Sequence, residues 1–232
     1  MYMVGRGPEI MKGIITAICL FLTLIPMPGS ANDDLARLLT GIQKKYGGLP
    51  GLTLSYRREV ISKTMTMLGD QIKGDLATGQ MSFRPPCSLR LDQKTPKVET
   101  VIADGTTIWW DVPDEKRVYK YSAKEFGKEL KLLSDIFRGL VRVQERFRVS
   151  LLKPNDQGES QVELRPVRPW QSINRMILTV TQDHTIRIIR IHYQLGSVTV
   201  FTLSDIRPKE NFEKGIFDFV VPKGYKVVEE NM

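Results

Sequence analysis

The stretch Val101–Tyr121, VIADGTTIWWDVPDEKRVYKY, places the pair Asp104-Gly105 between two segments in which apolar and polar residues alternate. Asp-Gly between alternating segments is the strongest short-range signal of a β-hairpin, because the tight turn needs residues that tolerate a left-handed backbone. The spacing predicts strands over Val98–Ile102 and Thr106–Val112, then a third carrying Val118, Tyr119 and Tyr121. Period two also puts the adjacent Trp109 and Trp110 on opposite faces of the sheet.

The same alternation extends outward in both directions. Upstream it covers Leu52, Leu54 and Tyr56, then Met65 and Met67 between threonines, Gly79–Phe83 and Ser88–Asp92. Downstream it covers Glu145–Leu152, Ser160–Leu164, Arg175–Gln182, Ile186–Gln194, Ser197–Asp205 and a short terminal strand, Lys226–Glu229. Asp183-His184 and Leu195-Gly196 read as turns. Two segments follow the helical period instead. Leu35, Leu38, Leu39, Ile42 and Tyr46 lie behind Asp33-Asp34 and end at Gly47-Gly48. Phe126, Leu130, Leu133, Ile136, Phe137 and Leu140 form a second apolar stripe over 122–140, behind a Ser122 cap.

About eleven strands, two helices and no βαβ alternation predict an α+β fold built on one large antiparallel sheet. A sheet that wide must curl. The apolar residues spread over the strands, Met65, Met67, Leu89, Leu91, Ile108, Trp109, Trp110, Trp170, Met176 and Ile177, read mostly as core filling, but the inner face and an amphipathic lid can also enclose a cavity, for which Met65, Met67, Leu89, Leu91, Trp109 and, from the helical stripe, Phe137 are the candidate lining residues.

The 232 residues carry a net charge of +8. Lys12, the apolar run Ile14–Ile25 and the small residues Gly29-Ser30-Ala31 match a secretory signal peptide, which predicts cleavage near Ala31 and one domain over 32–232. Met11 is an alternative start, and an uncleaved anchor the alternative fate of the segment. Cys19 falls inside the apolar run and is preceded by Ile18, a poor lipid-attachment context. Cys87 is then the only thiol of the exported chain, so an internal disulfide is excluded there. The exported part stays basic, which suits anionic lipid or an acidic partner as well as a solvated surface. Export and the lack of a recognition motif argue against nucleic acid.

Catalytic signals are sparse. His184 and His192 are the two histidines, neither at metal-ligand spacing from Cys, Asp or Glu, and no GxSxG, HExxH or phosphate-binding loop occurs in the exported part. Pairs such as Asp104 with Asp111 read as turn-forming residues. No cofactor, no metal and no enzyme activity are expected, with an exported hydrolase as the rival of a different class.

The order of these elements resembles the LolA family of periplasmic carriers of outer-membrane lipoproteins. The resemblance rests on the opening helix and "LTLSYRRE", on "GQMSFRPPCSLRLDQKTP" with its Arg-Pro strand end, on the Asp-Gly hairpin with its tryptophans, and on "FDFVVPKGYKVVE". It implies an incomplete, strongly curved β-barrel with helices closing its mouth as a lid over a cavity for acyl chains. It further implies a monomer that receives lipoproteins from an inner-membrane lipoprotein-releasing ABC transporter and passes them to an outer-membrane receptor. A lipid-binding or lipoprotein-sensing protein of the same fold is the alternative. By position, Arg84 matches the arginine that latches the lid, Leu89 and Leu91 match cavity-lining residues, and Trp109 is favoured over Trp110 as the inward tryptophan because it follows Ile108. Arg57-Arg58 stand where the family usually shows a glutamine.

Overall fold

The computed structural model describes residues 31–63, 74–123, 128–141, 143–170 and 172–229. Residues 1–30 of the proposed signal segment, Met65 and Met67 lie outside them. Helix α1 (Ala31–Tyr46) is followed by β1 (Leu52–Ile61), β2 (Asp75–Arg84), β3 (Ser88–Thr95), β4 (Glu99–Ala103), β5 (Thr107–Val112) and β6 (Arg117–Ser122). Helices α2 (Lys128–Phe137) and α3 (Val143–Arg146) come next. Then follow β7 (Phe147–Leu152), β8 (Ser160–Pro166), β9 (Ile173–Val180), β10 (Ile186–Tyr193), β11 (Val198–Pro208) and β12 (Lys226–Glu229).

These form one curved, unclosed 12-stranded sheet in the order β12-β6-β5-β4-β3-β2-β1-β11-β10-β9-β8-β7. The chain enters at the middle, meanders out to β6, reappears at the opposite edge as β7 and meanders back until β11 pairs with β1. The β6–β7 connection therefore has to pass over a face of the sheet. Leu132, Leu133, Ile136 and Phe137 are buried on α2 and belong to the core that fills the concave side, so the crossing runs there.

Alternation sets the two faces. Phe83, Leu89, Ala103, Ile108 and Tyr121 lie side by side across β2–β6, as do Met81, Leu91, Val101, Trp110 and Tyr119. Phe83 meets Phe137 of α2 with ring centroids 5.7 Å apart, which identifies these rows as concave. Across the other half, Phe201, Ile189, Leu178, Val162 and Leu151 continue the same face.

Helix α1 packs into the same core through Leu38, Ile42 and Tyr46. Its C-terminal end is tied to the β9–β10 turn: Lys45 Nζ donates to Asp183 Oδ2 and Thr185 Oγ1, both at 2.6 Å, and the Tyr46 hydroxyl accepts from the Ile186 N–H at 3.0 Å. The approach is close because residue 41 is glycine, where a Cβ would lie 2.0 Å from the His184 ring.

The 12 strands of the sheet agree with the expected count of about eleven. Three local expectations need correction. Ser122, expected as a helix cap, ends β6, and the expected strand start at Glu145 is a helical turn, Val143–Arg146, that turns the chain into the edge strand β7. The terminal strand pairs parallel with β6, whereas every other pairing among the described residues is antiparallel. It does so because residues 209–225 first cross the convex face and arrive at the edge running in the direction of β6.

Candidate functional site

The concave face changes character along the strands. Where Phe83, Leu89 and Phe137 meet, it is closed and dry, with Leu89 and Phe137 fully buried. Two residues further along each strand it opens into a cavity of about 770 Å³ whose apolar wall includes Leu76, Ala77, Leu91, Val101 and Trp110. That volume falls in the roughly 300–1,000 Å³ range of small-molecule sites.

The cavity also carries the polar side chains of Tyr56, Arg58, Asp75, Gln93, Lys97 and Glu99, several of them tied by hydrogen bonds. The Trp110 indole N–H donates to Glu99 Oε2 at 3.1 Å. Gln93 donates to the Lys97 carbonyl at 3.0 Å and accepts from Arg58 Nη2 at 3.3 Å. Tyr56 packs its ring edge-on to Phe201 with centroids 6.0 Å apart, and burial pushes its hydroxyl pKa up to about 12. Tyr56 fits because Gly79 lies opposite it on β2. A Cβ there would stand 2.8 Å from the Tyr56 hydroxyl and 2.2 Å from the Asp92 carbonyl oxygen.

Leu89 and Leu91 thus share the concave face, the first in the closed core and the second on the cavity wall. Phe137 forms part of the helical cover over Phe83. The tryptophan expectation is corrected: Trp109 lies on the convex face, stacked on Phe219 at 5.3 Å, and Trp110 lines the cavity. The reason is parity, since Ile108 pairs with Ala103 on the concave side, so the residue after it must point away.

Arg84 ends β2 with an exposed side chain whose guanidinium carbon sits 4.6 Å from the centroid of the Phe217 ring. The expectation that Arg84 latches the helical lid is therefore corrected: it touches the C-terminal segment, because alternation points it away from α2, which its neighbour Phe83 touches instead. Arg90 Nη1 donates to the Ile216 carbonyl at 3.0 Å and extends the same attachment. Sequence reasoning missed this strap, and it marked Arg58 only as part of a departure from the family's usual glutamine, not as an arginine at an inward-facing position of β1.

The family model for LolA, the outer membrane lipoprotein carrier protein, matches residues 66–220. An outer-membrane lipoprotein carrier protein of Nitrosospira multiformis is 27% identical over 157 residues, spanning 66% of this chain and 73% of its own length. One from Methylobacillus flagellatus is 23% identical over 215 residues, spanning 92% and 98%. Among solved structures, an uncharacterised conserved protein from Thermus thermophilus superposes with a TM-score of 0.51 at 10% identity, covering 85% of this chain and 99% of that one. This last likeness is one of fold.

Proposed function

From its membership of the LolA family of outer-membrane lipoprotein carrier proteins, to which this chain belongs, we propose that it is a periplasmic carrier that shelters lipoprotein acyl chains on its concave face. The observation that carries the reading is the continuity of that face, from a dry core under α2 to an open cavity walled by Leu76, Leu91, Val101 and Trp110. Each buried methylene contributes about 0.8 kcal/mol, so a long chain gains strongly by leaving water for such a surface. In this reading residues 1–31 are a cleaved signal peptide, an inner-membrane lipoprotein-releasing ABC transporter loads the cavity, and an outer-membrane receptor empties it. The chain works as a monomeric binding protein, not an enzyme.

Handover requires that affinity stay moderate. Core contacts between α2 and the sheet oppose cargo entry, because chains that reach Phe83 and Leu89 must displace Phe137. Arg84 acts at the same strand end by holding the C-terminal segment through Phe217. Arg84→Leu is expected to load cargo normally but to pass it to receptor more slowly. Unchanged transfer kinetics would remove Arg84 from the mechanism.

The test of the function itself is native mass spectrometry of the exported protein taken from its own periplasm. A one-to-one complex with an acylated lipoprotein is expected. Recovery with loose phospholipid alone would replace the carrier with a general lipid binder, and recovery of empty protein that cannot release lipoprotein from membranes would overturn both.

A further inference from the structure

Arg58 is a cation in the middle of an apolar row. It projects from the concave face of β1 between Ala77 of β2 and Phe201 of β11, in register with Ile189 and Leu178 beyond. Its side chain lines the cavity. Nε is shielded from water and has no hydrogen-bond partner among the described residues, and Nη2 makes one long bond to the neutral Gln93 amide at 3.3 Å.

Among the described residues no carboxylate lies within ion-pair distance of Arg58. Glu59 is on the other face of β1, 3.7 Å from Arg57. Glu99 lines the same cavity, but its Oε2 accepts the Trp110 indole N–H. Asp75 and Lys97 also line the cavity, both exposed and opposite in charge.

A guanidinium whose shielded Nε–H is left unsatisfied is costly, and a carboxylate or phosphate is the partner its planar fork fits best. We propose that this cavity binds a free anionic single-chain amphiphile, with its carboxylate or phosphate on Arg58 and its hydrocarbon chain along Leu91, Val101 and Trp110. Such a ligand satisfies Arg58 in a way that an uncharged acyl ester does not. The inference rests on the cavity being a lipid site, as in the carrier reading, but not on lipoprotein being what fills it.

The probe is the fluorescent fatty acid cis-parinaric acid, compared with its uncharged methyl ester at about pH 8, where a carboxylate is ionised. The wild-type exported chain is expected to bind the acid about tenfold tighter than the ester, the scale of one charge-assisted contact. Arg58→Gln should abolish that difference and Arg58→Lys should keep part of it. Competition by palmitate against lysophosphatidylglycerol, with lysophosphatidylcholine as the zwitterionic control, separates a carboxylate ligand from a phosphate one.

Equal binding of acid and ester by the wild type overturns the proposal without needing any variant to fold, as does a preference that survives Arg58→Gln. A triacylated lipopeptide titrated into the same preparation keeps the two readings apart. Lipopeptide binding without an acid preference leaves the carrier and removes the Arg58 site. An acid preference without lipopeptide binding does the reverse.

Discussion

His192 on β10 shows how a single residue on the convex face couples stability to pH. It pairs across the sheet with Arg175 of β9, and its Nε2 is buried without a partner among the described residues. Burial comes first, then Arg175 and Arg190, in holding its pKa below the ordinary 6.5, against a weaker opposing pull from Glu163. Because the folded pKa lies below the unfolded one, the neutral ring contributes stability above about pH 6.5, and that contribution is lost as pH falls through the folded value. Glu163, held low by Arg165 and Arg175 despite its own burial, adds an acid-labile contribution only further down, in the carboxylate range. The urea midpoint should therefore drop between about pH 7 and pH 5 in the wild type and stay nearly flat there in His192→Gln. A drop of equal size in the variant would assign the effect elsewhere. The tryptophans show what a residue-level reading could and could not see. Alternation correctly put Trp109 and Trp110 on opposite faces, but the choice of Trp109 as the inward one was wrong, because Ile108 itself faces inward and its neighbour two residues on is Trp110. Both sides of this half of the sheet are covered, however, so a large apolar residue is at home on either and hydrophobicity alone does not tell the faces apart.

At the scale of elements, the segment 209–225 behaves as a strap. Phe217 is buried under Arg84 and beside Phe212, Phe219 stacks on Trp109, and β12 then completes the edge against β6. This cover explains why Ile102, on the convex side of β4, is only 2% exposed. Phe217→Ala should cost on the order of 3 kcal/mol, the scale of a buried phenylalanine truncated in a core, read as a lowered urea midpoint with an unchanged slope. It should also raise the tendency to self-associate, because loosening the strap frees the β6 edge for pairing with another chain. A midpoint within about 0.5 kcal/mol of wild type would mean the strap is not part of the cooperative unit. The strands themselves were legible because half-burial imposes a period of two, and the Asp104-Gly105 turn is set by chemistry within the turn: the Asp104 carboxylate accepts from the Thr106 and Thr107 N–H groups at 2.7 and 2.8 Å. The strap was not legible. Its anchors Phe212, Phe217 and Phe219 follow neither a strand nor a helix period, since an irregular segment is shaped by the surface it crosses.

At the scale of the whole molecule, one topological fact links fold and proposed activity. Strands β6 and β7 stand on opposite sides of the sheet, so the chain between them must span the concave face, and its apolar residues share one core with that face. Breadth of the sheet was readable from the strand count. Strand order was not, because which strands pair depends on contacts far apart in sequence. In the carrier reading the consequence is that cargo and helix compete for the same surface. A chain entering from the cavity at Leu91 and advancing towards Leu89 and Phe83 replaces Phe137 and its neighbours Leu132 and Ile136, and the gain from burying the cargo is partly offset by what α2 gives up. Binding should therefore be weaker than the buried area suggests, as a carrier that must release its load requires. Hydrogen exchange measures this directly. On saturation with a triacylated lipopeptide, amides of α2 should exchange faster while those of β3 and β4 around Leu91 and Val101 are slowed. If α2 becomes more protected together with the strands, the helix closes over the cargo instead of yielding to it, and the competition argument fails.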